Sequence, residues 1–192
     1  MYSELIKNKI KYFNQLLNKP WKYSTIYKNI TIEHLQIDES PYIAIKANGN
    51  INNYKILIDQ IWNCTTLNDI KKMFPNTIVF EILQNIDDNT RLIYQVNKDS
   101  FIDPRESIYL LVRQDNMILS FSIDYDYPSQ VKHSVRTNVP ISGFLFSAAK
   151  SSNENECNIT YILHAEPGGL IPPFLVNNYI DRHIKSIIDH IK

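Results

Sequence analysis

Between residues 77 and 124 the chain follows a two-residue rhythm, and that stretch limits the fold more than any other. Segments 77–86, 91–98, 107–114 and 117–124 succeed one another with only short polar turns between them, such as Asp87-Asp88-Asn89. In the last segment Met117, Leu119, Phe121 and Ile123 alternate with Ile118, Ser120, Ser122 and Asp124. That gives a strand with one mostly apolar face and one mixed face. Links this short join antiparallel neighbours, so the middle of the chain predicts an antiparallel meander. Two further strands are expected over 134–148 and 159–165, with a polar, mobile loop at 151–156 between them.

A sheet of this kind cannot bury its apolar face alone, and the chain ends in a suitable cover. Pro172-Pro173 suits a first helical turn, where missing N–H groups cost least. Val176, Ile180, Ile184, Ile187 and Ile191 then fall on one stripe. Residues 3–18 read as a second amphipathic helix: Leu5, Ile6, Ile10, Phe13, Leu16 and Leu17 recur at helical steps, Ser3 can cap, and Pro20 stops it. Ile30, Ile32 and Ile37 mark a β-rich stretch and 42–47 another strand, closed by the turn chemistry of Asn48-Gly49-Asn50. Two short helices are expected at 54–62 and 67–74, the second capped by Thr65 or Thr66 and closed by Pro75. The expected class is α+β, and 192 residues suit one domain with a real core.

Composition narrows the function by exclusion. Twenty basic and twenty acidic residues cancel, so global charge predicts no nucleic-acid partner. The lysines of the first thirty residues are either a solvated helix face or a weak attraction to anionic headgroups. Cys64 and Cys157 stand far apart without CxxC spacing, which predicts reduced thiols in a cytosolic protein. No run approaches the roughly 18–20 apolar residues of a membrane span, and Lys7, Lys9 and Lys11 interrupt any signal-peptide core. Membrane contact is therefore expected to be peripheral and reversible. There is no HExxH, GxSxG, Walker loop or GxGxxG, so no catalytic residue, cofactor or metal is expected.

The last third carries a distinctive series: Pro104-Arg105-Glu106, Val135-Arg136, Ser142-Gly143, Asn158-Ile159-Thr160-Tyr161-Ile162, and Glu166-Pro167-Gly168-Gly169-Leu170-Ile171-Pro172. In order and spacing it resembles the START domain family, the lipid-transfer module of the steroidogenic acute regulatory protein and its relatives. Its phrasing is nearest to the phosphatidylcholine and ceramide transfer type. The resemblance covers roughly residues 20–192 and is strongest over 104–177. It implies a helix-grip fold: a curved antiparallel sheet wrapped on the last helix, with a lipid tunnel between them. The implied activity is to hold one lipid (phospholipid, sterol or sphingolipid) and carry it between membranes as a monomer, with phospholipid slightly favoured on family grounds.

The resemblance also assigns residues. Gln95 and Tyr161 match positions that hydrogen-bond the headgroup region in the ceramide transfer type. Pro140 stands where that type uses an amide, and Met73-Phe74 replaces the usual Trp-Asp pair. Tyr161 shares a strand face with Leu163 and Ala165, which fits a cavity wall, and Phe121 and Ile184 are expected to line it too. Arg136 either pairs with a carboxylate such as Glu166 or faces the headgroup; an unpaired buried charge costs several kcal/mol. Arg105 and Glu106 read as structural. Tyr125 and Tyr127, in the loop reaching His133, either form a lid or a plain polar hairpin. Leu170, Ile171 and Phe174 follow the sharp exit made by Pro167-Gly168-Gly169, and are either packed at the corner or offered to a bilayer. Two alternatives remain: a helix-grip enzyme of the cyclase or hydrolase type, needing His164 and Glu166 to point inward, and a lipid sensor that signals without transfer.

Overall fold

The computed structural model describes residues 2–38, 40–52, 54–99, 102–148 and 156–191. Most of the loop expected to be mobile, 151–155, lies outside the described residues. The chain runs α1 (Ser3–Leu17), β1 (Lys22–Tyr27), β2 (Ile30–Gln36), β3 (Ile43–Asn52), α2 (Tyr54–Trp62), α3 (Leu67–Met73), β4 (Thr77–Asp87), β5 (Thr90–Asn97), β6 (Arg105–Gln114), β7 (Met117–Ser122), β8 (Val135–Arg136), β9 (Asn138–Ala148), β10 (Glu156–Glu166) and α4 (Pro173–Ile191). One curved sheet has the order β1-β2-β3-β10-β9-β7-β6-β5-β4, with two-residue β8 lying parallel to the start of β6. This is the expected α+β helix-grip layout, with α4 across the concave face.

Alternation sorts each strand between two cores. On the concave side Ile45, Ala47, Phe144, Phe146, Ile159, Tyr161 and Leu163 pack under Val176, Ile180, Ile184 and Ile187 of α4. On the convex side Leu92, Tyr94, Ile108, Leu110, Phe121 and Ile162 pack under Phe13 and Leu16 of α1. The N-terminal helix is thus a third layer. Trp21 Nε1 donates to the Leu16 carbonyl at 2.7 Å and fixes the exit of that helix. Its first residue, Ser3, is already helical and supplies no side-chain cap.

Asn48-Gly49-Asn50 does not turn. All three stay in β3, paired with Thr160, Ile159 and Asn158 of β10. Glycine gives β2 a close approach there: a Cβ at Gly49 would meet the end of the Ile30 side chain, and the Asn29 carbonyl oxygen at 3.1 Å. The real hairpin lies earlier, between β1 and β2, where Lys28 and Asn29 both take positive φ, as a two-residue turn of this hand requires. Local contacts fix the ends of the two short helices. Thr66 Oγ1 and the Asp69 carboxylate close a reciprocal capping box at α3. At the end of α2, the Arg91 and Arg113 guanidiniums lie 4.4 and 4.7 Å from the Trp62 ring centroid.

Candidate functional site

A cavity of about 160 Å³ lies between α2, α3, α4 and the part of the concave face formed by β4–β7, β9 and β10. Ile70, Ile93, Leu111, Val139, Phe144 and Leu163 supply much of its apolar wall. Across its floor runs a row of uncharged polar groups: Asn97 and Gln95 on β5, Tyr109 on β6, Ser120 on β7, Ser142 on β9 and Tyr161 on β10. Among the described residues that line it, none is Asp, Glu, Lys or Arg.

Two groups within the row are internally bonded. Tyr109 donates to Gln95 Oε1 at 2.7 Å, and Gln95 Nε2 donates to Thr77 Oγ1 at 3.1 Å and to Asn97 Oδ1 at 3.0 Å. The Ser142 and Tyr161 hydroxyls lie 3.0 Å apart. Burial keeps these phenols protonated: the Tyr161 hydroxyl is pushed up to about 12, against a smaller lowering by Ser142. Tyr109 moves the same way, first by burial and then through Cys64. His183, at the cavity edge, is lowered by burial to about 4, so it is neutral near pH 7. Hydroxyl and amide groups in a low-dielectric site bond strongly to polar ligand atoms, whereas a bare charge placed there finds no counter-charge.

Of the residues the sequence assigned to the ligand, Gln95, Tyr161 and Leu163 line this cavity. Phe121 does not: strand parity turns it to the convex face, buried with the α1 core under Lys9 Nζ at 5.6 Å. Ile184 is fully buried and does not line this cavity; it lines a separate space of about 10 Å³ with Ile30, Ala47, Ile159 and Tyr161. Arg136 sits on the rim and pairs with Glu106 (Nε–Oε1 3.0 Å) rather than Glu166. Glu106 also accepts from Tyr94 and Ser134, both at 2.8 Å. Glu166 instead accepts from Asn138 at 2.7 Å. Arg105 ties down the glycine loop, donating to the Gly168 carbonyl at 3.5 Å.

The loop at 123–134 is fastened on the convex side, away from the cavity. Tyr127 packs against Tyr94 with ring centroids 5.1 Å apart and planes tilted by 51°, and it donates to Glu81 at 2.9 Å. Gln130 bonds Glu81 through its amide and the Tyr94 hydroxyl through its backbone N–H. Tyr125 is exposed. Among the corner residues Ile171 packs against the α4 core, while Leu170 and Phe174 are exposed, with Leu175 beside them. His164 and Glu166 also face the α1 side: His164 is buried, its Nε2 3.4 Å from Ser40 Oγ and 4.0 Å from Glu166. That pair cannot reach a ligand in the cavity. Sequence reasoning missed Tyr109, Asn97, Ser120, Ser142 and His183. The signal was strand parity: Ser107, Tyr109 and Leu111 alternate with Glu106, Ile108 and Leu110, which belong to the other face.

Residues 25–190 match the START domain family. A ceramide transfer protein from Pongo abelii is 23% identical over an alignment of 161 residues that covers 73% of this chain and 25% of that protein. The chain therefore spans about a quarter of that relative's length. Human StAR-related lipid transfer protein 5 superposes with a TM-score of 0.81 at 16% identity, covering 100% of this chain and 94% of the other. Human STARD10 superposes with a TM-score of 0.76 at 18% identity, covering 94% and 77%.

Proposed function

The chain belongs to the START domain family, and from that premise we propose that it holds one lipid between the sheet and α4 and carries it between membranes through the cytosol. The observation that carries this reading is the apolar cavity crossed by a bonded row of hydroxyl and amide groups. Each buried CH2 recovers about 0.8 kcal/mol relative to water, which lets a monomer hold a molecule that water excludes.

The cavity's size adds a condition. About 160 Å³ is close to the volume that accommodates a single small ring, so a lipid enters only as the helices part from the sheet. The uncharged lining adds another. The favoured class is a phospholipid, whose ester region can bond Gln95, Tyr109 and Tyr161, but its ionised headgroup must lie beyond this lining. Leu170, Phe174 and Leu175 form the corner that meets the bilayer. Transfer is favoured over sensing by that exposed corner, and His164 and Glu166, the acid–base pair an enzymatic role would need, do not line the cavity.

Leu163→Trp tests the site directly by filling the cavity from β10. The variant should keep its far-UV spectrum and lose lipid uptake from vesicles, read by native mass spectrometry with extraction of what is bound. A folded variant that takes up lipid as the parent does would overturn the proposal.

A further inference from the structure

A second pocket of about 150 Å³ lies in the groove between α3 and α4, and it shares Met73, Phe74, Asn97 and His183 with the inner cavity. The two spaces are separated by side chains rather than by backbone. The partition is a stack: Phe74 against His183 with centroids 5.4 Å apart and planes at 12°, and His183 against Tyr179 at 6.3 Å and 21°. Among the described residues no hydrogen bond or ion pair joins α3 to α4. The contact across the groove is therefore made by the rings together with buried Met73, and it can part without breaking a polar bond.

The outer pocket differs in chemistry from the inner one. Asp99 and Arg182 line it together with Asn76 and Ser186, and both charges act on the Tyr179 hydroxyl, which burial and Asp99 raise and Arg182 lowers. One cation and one anion beside an aromatic ring suit a zwitterion. The pocket also continues toward the exposed corner: Leu175 precedes Tyr179 by one helical turn and Arg182 by two, on one stripe of α4.

We propose that the α3–α4 groove is a second compartment of the ligand site, which takes the zwitterionic headgroup of a phospholipid and is joined to the inner cavity when Phe74 and His183 separate. This rests on the lipid-holding function proposed above. Asn97, bonded to Gln95 and exposed to both spaces, marks where the ester region ends and the headgroup begins.

The test offers the full chain vesicles containing equal amounts of phosphatidylcholine and diacylglycerol, and weighs the bound lipid by native mass spectrometry. The parent should carry phosphatidylcholine. Arg182→Glu, at an exposed position, should lower that uptake about tenfold, the equivalent of one charge-assisted hydrogen bond, and leave diacylglycerol uptake unchanged. Phe74→Ala should speed phosphatidylcholine uptake about three- to tenfold by removing the stack. A folded Arg182→Glu that carries phosphatidylcholine as the parent does, or that loses both lipids equally, overturns the second compartment. A parent that carries diacylglycerol alone overturns it as well and leaves lipid holding intact. A parent that binds neither overturns the proposed function itself.

Discussion

Glu106 is the side chain on which the convex rim depends. Its carboxylate gathers Tyr94 from β5 and Ser134 and Arg136 from the segment 134–136, so one acid on β6 joins two other stretches of chain. Burial pushes its pKa up, but hydrogen bonds from Ser129, Tyr94 and Ser134 and the charge of Arg136 outweigh this and hold it below the ordinary value. A carboxyl depressed on folding stabilises the fold above its unfolded pKa, about 4.3, and that contribution is lost as pH falls through the folded value. Glu106→Gln should therefore cost about 2 kcal/mol near neutrality, and the gap between variant and parent should close in acid, read by urea denaturation at pH 7 and below pH 4. The need of Arg136 for a partner was legible in the sequence, but its choice was not. Glu166 and Glu106 are equally acidic on paper, and only the parallel pairing of β8 with β6 brings Arg136 beside Glu106. Phe121 eluded the sequence for a related reason: its strand carries apolar side chains on both faces, so alternation alone could not say which face holds the cavity.

At the scale of elements, α1 was legible as a helix while its role was not. Its apolar stripe matched the pattern of a covering helix, yet nothing local says that the sheet's second face needs one. Phe13 and Leu16 are buried there to 0% and 2% exposure, so α1 seals a core that α4 cannot reach. Phe13→Ala should cost about 3–5 kcal/mol, seen as a loss of melting temperature, while lipid uptake by the folded fraction stays at the parent's level because the cavity lies on the other face. The loop at 123–134 teaches the converse. Its two tyrosines and proline resemble a lid, but Glu81 and Tyr94 draw Tyr127 and Gln130 to the convex side, and those partners lie too far along the chain for local pattern to reveal. Asn48-Gly49-Asn50 misled in the same way, since turn residues stay in a strand when β10 supplies a complete ladder beside them.

For the whole molecule, the contrast between an apolar exposed corner and an uncharged cavity frames how a lipid leaves a bilayer. Leu170, Phe174 and Leu175 bear no structural load where they stand, because they are exposed. Leu170→Asp with Phe174→Asp should leave the melting temperature within about 4 °C, since surface changes of this kind seldom exceed ±0.5 kcal/mol each, and should cut vesicle capture and intermembrane transfer about tenfold or more. Equal transfer by the double variant would place the membrane contact elsewhere. The layout of the fold was legible from the meander, the striped helix and the START-like motif series taken together. The size and lining of the cavity were not, since they depend on how three helices settle over one sheet. The strand order has a further consequence, for the order of assembly. β4 to β7 pair with their chain neighbours and can zip up locally, whereas β1–β3 complete their edge only against β10. Such long-range closure is slow because its loop entropy is lost before contacts reward it. An arrested chain lacking β10 therefore holds a formed meander and a dangling three-strand sheet, with Ile45, Ala47 and Ile51 waiting uncovered for the last strand.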